Sequence, residues 1–480
     1  MAAAALVAVA CSGGGGASTS ASAPPASSAS TGSSATASGT ASAGGTASPT
    51  SSASAGASWP EYDGNPARTG VATGVPAAGA LSTAWSARLD GAVYGQPLVV
   101  GDEVIAATEN DSVYAISRAT GQTIWRTHVG TPVPESALNG CGDIFPLGIT
   151  GTPVYDAGNG LVYAVAEVTG YQHVLVGLDA TSGAVRLRRD LDMPTSANQP
   201  AYNQQRPGLV IDDGRVYAAF GGLFGDCGAY QGSIVSAPLT GDGPLASWRT
   251  PTSREGAIWG PGGPVVGPNG DLWISIGNGA AEGSAPFDGS DSVTELSPGL
   301  RRVAYFAPGT WAADNASDLD LGSTQPVLAA GNTVLIVGKR GVGYLLDATR
   351  LGGIGGQLAE QDICAAFGTA AVSGSTVYEP CRDGALTAVE VSAASKTIRV
   401  LWRGPSGANG SPVLGGGAVW VTTYSESGGG GTLYALSPAT GRVEHQISIP
   451  EGLPHFSSLA LSGGTAYVST LTGVTAVDGA

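Results

Sequence analysis

From residue 59 onward the chain repeats one pattern eight times, and a repeat confines a fold more tightly than composition does. Each unit opens with a short apolar strand, turns, and continues with a second strand. The first reads Pro97-Leu98-Val99-Val100-Gly101, then Val104-Ile105. Later units open at Pro153, Gly208, Pro264, Pro326, Ala370, Pro412 and Leu459, at intervals of 56, 55, 56, 62, 44, 42 and 47 residues. A third strand follows in every unit: Val113–Ile116, Val176–Asp179, Ile234–Ala237, Val293–Leu296, Tyr344–Asp347, Leu386–Val389, Leu433–Leu436 and Val474–Val477. The best copies close on a Thr-Gly turn (Thr120-Gly121, Thr440-Gly441), and a fourth strand carries Trp at 125, 248 and 402. Four short strands per unit of about 40–60 residues is the pattern of a β-propeller blade. The expected fold is therefore all-β, an eight-bladed propeller of four-stranded antiparallel blades. The eighth unit reaches Ala480 just after its third strand, but Ala84–Leu89 resembles Ile124–Val129 and can supply the missing outer strand. Closure by an N-terminal strand leaves no open joint.

Composition agrees. Gly (76) and Pro (30) make up roughly a fifth of 480 residues, and only 12% are charged, which argues against charged-faced helices, coiled coils and helical solenoids. The net charge of −16, with no basic cluster, argues against nucleic acid and anionic membrane surfaces as partners.

The first residues read as targeting. Residues 2–10 are apolar, too short to span a bilayer, and end in small residues before Cys11. The run Ala8-Val9-Ala10-Cys11 resembles the bacterial lipoprotein cleavage box, which implies a signal segment over 1–11 and a lipidated Cys11. Residues 12–58 are all Ser, Ala, Thr, Gly or Pro, a composition expected to form a disordered tether. The expected organisation is thus a signal (1–11), a tether (12–58) and a propeller (59–480) on the outer face of the cell membrane. The only membrane contact expected is the lipid.

The other cysteines are Cys141, Cys227, Cys364 and Cys381. An even number in an exported chain suggests disulfides, and four allow three pairings. The favoured set is Cys364–Cys381 within the sixth unit and Cys141–Cys227 across neighbouring loops; free buried thiols are the alternative. No C-x-x-C occurs and the four His are scattered, so a Cys/His metal site is not indicated.

Tyr-Ala-Leu/Ile-x-x-x-Thr-Gly-x-x-x-Trp signatures on eight blades resemble the pyrroloquinoline-quinone (PQQ) repeat family, as does the opening Trp59-Pro60-Glu61-Tyr62-Asp63-Gly64-Asn65-Pro66-Ala67-Arg68-Thr69-Gly70. That family includes quinoprotein alcohol dehydrogenases and the non-enzymatic outer-membrane assembly lipoproteins. An enzyme of this kind needs an aromatic platform, oxygen ligands for Ca²⁺ and a carboxylate base. The resemblance implies Trp259 as the stacking ring, Asn278 and Glu167 as metal ligands, and Asp320 or Asp318 as the base. It further implies Lys339 and Thr150 as quinone contacts. Each has a structural reading too: Trp259 as packing between blades, Asn278-Gly279 as a turn, Asp318 and Asp320 as loop caps, Lys339 as an exposed turn residue. The adjacent-cysteine pair of the alcohol dehydrogenases and a C-x-x-C-H haem motif are both absent, and Tyr94 stands near an expected site Glu. The expectation is a monomeric, non-catalytic module without cofactor, binding an unknown protein or small molecule at its loops or central funnel. The alternative is a dehydrogenase using PQQ and Ca²⁺ on an alcohol or sugar.

Overall fold

A computed structural model describes residues 58–192, 199–382, 384–423 and 429–480. Cys11, with the signal and tether readings up to residue 57, lies outside the described residues. Among these, eight sheets form the blades of a propeller. The first, innermost strands are Leu98–Val100, Val154–Asp156, Val210–Asp212, Val265–Val266, Val327–Ala329, Ala371–Ser373, Val413–Gly415 and Leu459–Ser462. Every repeat opening read from the sequence falls on or within two residues of one of them. Blade 4 gains a fifth strand, because Gly353–Ile354 leaves blade 5 to pair in parallel with Arg302–Ala307.

The ring closes with the N-terminal strand Ser82–Arg88, which pairs antiparallel with Gly473–Asp478 as the outer strand of blade 8. The apolar clusters lie between neighbouring blades. Leu98, Ile105 and Val113 of blade 1 pack with Val162, Ala164 and Val176 of blade 2, and blades 2 and 3 meet likewise through Leu175 and Val216. Each sheet is therefore covered on both faces, which is why its central strands are almost continuously apolar and the chain has so few charges.

The Thr-Gly…Trp signature is an inter-blade lock. Trp85, Trp125 and Trp402 each donate an indole N–H to a carbonyl in the next blade, at Arg118 (2.9 Å), Ala180 (2.8 Å) and Pro438 (2.8 Å). The ring of each lies over the glycine of that blade's turn. A Cβ added at Gly121, Gly183 or Gly441 would come within 2.7, 2.5 and 2.3 Å of the indole, and all three have φ near +70°. Glycine is required there both for space and for conformation.

The opening segment does more than lead into the closing strand. Trp59 exchanges backbone hydrogen bonds with Val99 of blade 1, and Pro60 O accepts from Tyr155 of blade 2. Pro66 O accepts from Val266 of blade 4, Thr69 O from Val372 of blade 6, and Gly70 O from Leu414 of blade 7. These contacts follow the inner strands round the ring to blades on opposite sides, and with Tyr62, Asp63 and Arg68 buried the segment forms a plug against them. The buried Arg68 holds the plug together, donating to Glu61 Oε2, Tyr62 O and Leu209 O, each at 2.8 Å.

Both favoured disulfides are present, Cys141–Cys227 and Cys364–Cys381. The second ties the loop ahead of blade 6 to the turn after its second strand.

Several carboxyls are buried without a neutralising partner. Burial alone pushes Glu379 up to about 8, and its Oε1 has no hydrogen-bond partner among the described residues. Burial likewise pushes Glu109 and Asp111 up to about 8. A carboxyl whose pKa is raised on folding binds a proton more tightly in the native state, so its stabilising effect is present below the unfolded value and lost as pH rises through the folded one. The melting temperature is expected to fall between about pH 5 and pH 9. Glu379→Gln should flatten that decline and melt above the wild type at the alkaline end. An unchanged slope in a thermal-melt series would refute the assignment.

Candidate functional site

Loops that enter the inner strands, and loops joining second to third strands, lie at one end of the ring by the up-and-down order of each blade. At that end they enclose a cavity of about 810 Å³. Trp259, Asn278, Asp318, Asp320 and Lys339 all line it. All five come from the loops of blades 4 and 5: Trp259 precedes the inner strand of blade 4, Asp318 and Asp320 precede that of blade 5, and Asn278 and Lys339 lie between second and third strands. The local folding is specific: Asp320 caps the turn Leu321–Ser323 by accepting from Gly322 N at 2.7 Å, and its carbonyl accepts from Lys339 N at 3.0 Å. Gly338 permits this close approach, since a Cβ there would lie 2.5 Å from Asp320 O.

The five side chains form one network. Lys339 Nζ pairs with Asp318 and lies 2.8 Å from Asp320 Oδ2. Asn278 Nδ2 donates to Asp318 Oδ1 at 2.7 Å, and Trp259 Nε1 donates to Asp320 Oδ1 at 3.3 Å. Lys339 Nζ also sits 5.1 Å from the Trp259 ring centroid, in cation–π range. Burial works against the Lys339 charge, but Asp320 and Asp318 outweigh it and push the ammonium up to about 12.

Glu167 and Thr150 are not in this lining. Glu167, on the strand Leu161–Val168, is buried; its Oε1 accepts from Gln205 N at 2.5 Å and its Oε2 lies 3.6 Å from His173 Nε2. His173 Nδ1 is 2.7 Å from Asp192 Oδ1. Burial tends to deprotonate His173, but Glu167 and Asp192 prevail and push it up to about 10. Glu167 thus faces Gln205 and His173 and not the cavity. Thr150 lines a recess of about 10 Å³ under the cavity, with Tyr62 of the axial plug and with Tyr94, Arg206, His455 and Phe456, which border both spaces.

These residues do not fit a Ca²⁺–quinone site as arranged. Glu167 does not line the cavity with Asn278 and Asp320, one ammonium is held between the two aspartates, and the same ammonium stands over the Trp259 ring. Among the described residues no group of three His, Cys, Asp or Glu side chains is placed to hold a metal.

The cavity also contains groups that sequence reading missed. Phe367 and Phe456 are parallel (9°, centroids 6.4 Å apart), and Trp259 is inclined 60° to both. Arg382 stands 4.7 Å from the Phe367 centroid and Arg206 5.5 Å from that of Phe456. Arg206 also donates to His455 Nε2 at 2.8 Å and pairs with Asp143 at 3.3 Å. Burial, reinforced by Arg206, pushes His455 down to about 4, so its imidazole is neutral. Phe224, 66% exposed, stands on the cavity lining beside the Cys141–Cys227 bond. One signal was available: Tyr94, Arg206, Trp259, Asp320, Phe367 and Phe456 all stand just ahead of an inner strand, the equivalent place in six repeats.

Residues 68–275 match the family model described as outer membrane protein assembly factor BamB. Over 88% of its length the chain superposes on a quinohemoprotein alcohol dehydrogenase from Pseudomonas putida HK5, covering 80% of that chain at TM-score 0.67 and 15% identity. What that structure shares with this chain is the fold, an eight-bladed β-propeller. BamB from Moraxella catarrhalis is similar over 83% of this chain and 99% of its own (TM-score 0.56, 15% identity). A europium-containing methanol dehydrogenase is similar over 88% and 98% (TM-score 0.63, 14% identity). No curated protein matches by sequence. Proteins of this fold thus include dehydrogenases and an assembly factor, so function here must be argued from the site.

Proposed function

We propose that this protein is an exported, lipid-anchored PQQ-like propeller that binds a small ligand in its axial cavity and carries out no redox chemistry. The carrying observation is the Lys339–Asp318–Asp320 cluster: where a quinoprotein needs a cation and an unpaired base, this chain has two carboxylates that share its own ammonium. A general base works best without a competing cation, and both aspartates are paired with the ammonium.

The cavity's size is in the range of small-molecule sites. Its aspartates 143, 226, 318 and 320 are nearly balanced by Arg206, Arg382 and Lys339. Such balance favours a ligand with little net charge and several hydrogen-bonding groups over a polyanion. The two disulfides and the family match are consistent with an extracytoplasmic location, and Cys11 is the proposed point of attachment. On this reading the protein is a monomer, needs no cofactor and has no nucleic-acid partner.

The test is a dye-linked oxidation assay after incubation with PQQ and CaCl₂, using primary alcohols and aldoses. No turnover above the protein-free background is expected. Turnover requiring both additions would sink the proposal.

A further inference from the structure

The cluster at Lys339 has a consequence that does not depend on which ligand the cavity takes. Asp320 is 1% exposed. An ionised carboxylate so buried is costly without a positive partner. Its Oδ1 is occupied by Trp259 Nε1 and Gly322 N, and its Oδ2 faces Lys339 Nζ. Asp318 is held to the same ammonium and to Asn278 Nδ2, while the buried Oδ1 of Asn278 has no partner among the described residues. Two carboxylates and an orphaned amide oxygen are the donors a hard divalent cation prefers.

We propose that Lys339 is a tethered cation: its ammonium permanently holds the position between Asp318 and Asp320, excludes divalent metal from the cavity, and masks an oxygen site made by Asp318, Asp320 and Asn278. Tethering gives the ammonium a high effective concentration at the two carboxylates. The hydrogen bond from Lys339 N to Asp320 O fixes the side chain's starting point one bond network away. A metal ion would have to displace a charge that the backbone returns to the same place.

The experiment is a Tb³⁺ titration of the full-length protein, exciting tryptophan and reading lanthanide emission, since Trp259 is hydrogen-bonded to Asp320. Wild type is expected to show no saturable sensitised emission. Lys339→Ala and Lys339→Met should acquire it, with an affinity at least about tenfold above the limit set by wild type, with Ca²⁺ competing and raising the melting temperature of these variants only. Lys339→Arg should behave as wild type, and adding Asp320→Asn to Lys339→Ala should abolish the emission. Wild type binding as tightly as Lys339→Ala, or no gain in a folded Lys339→Ala or Lys339→Met, would overturn the proposal. A second measurement needs no variant: acylation of Lys339 by an amine-reactive ester, followed by mass spectrometry, should be unaffected by millimolar Ca²⁺. Faster labelling with Ca²⁺ would mean that the metal expels the lysine, contrary to the proposal.

Discussion

Deleting residues 59–90 is expected to abolish cooperative folding of the ring, whereas deleting 12–55 should leave its thermal transition unchanged. The first deletion removes two devices at once. The strand Ser82–Arg88 covers Gly473–Asp478, whose Val474, Ala476 and Val477 are fully buried. Without it blade 8 would present an unpaired, apolar edge, which invites aggregation. The plug formed by Trp59–Gly70 would be lost with it, together with its hydrogen bonds to inner strands around the ring. A propeller distributes its stability over neighbour contacts, so an open joint weakens both flanking blades. Residues 12–55 contain no large apolar side chain that could be buried. Circular dichroism melts of the two deletions decide the matter; matching transitions would show that closure is dispensable.

Arg68→Met should be the most costly single substitution in the plug, by about 3–5 kcal/mol in equilibrium unfolding. The guanidinium is 2% exposed and serves Glu61, Tyr62 O and Leu209 O together. Methionine fills much of the volume but leaves a buried carboxylate and two carbonyls without their donor. Adding Glu61→Gln should recover part of the loss, because it removes the uncompensated charge, while Glu61→Gln alone should cost less than Arg68→Met. A double variant as unstable as the sum of the singles would show that the pair is not coupled.

Much of this architecture was legible in the sequence. The repeat openings coincide with inner strands because each blade begins with an apolar segment bounded by Pro or Gly, a local signal. The closing strand was legible because Trp85 repeats the environment of Trp125, and both dock on the glycine of the next blade's turn. What the opening segment does was not legible: its likeness to related chains says that it exists, but only the ring shows that it bonds opposite blades. The site divides the same way. Trp259, Asn278, Asp318, Asp320 and Lys339 come from two consecutive blades and share a cavity, as motif order suggested. Glu167 comes from blade 2, where a two-residue Ala-Glu match cannot tell which neighbours a strand residue faces; here it faces His173 and Gln205. Phe367, Phe456 and Arg206 meet Trp259 only because the ring brings distant blades together, a proximity with no local trace.

The central claim is that this cavity accepts ligands without a metal, because Lys339 holds Asp318 and Asp320. Its most direct test is calorimetric titration of the purified protein with PQQ, with and without CaCl₂. The account predicts no calcium-dependent heat and no quenching of tryptophan emission. Micromolar PQQ binding that requires Ca²⁺ would contradict it.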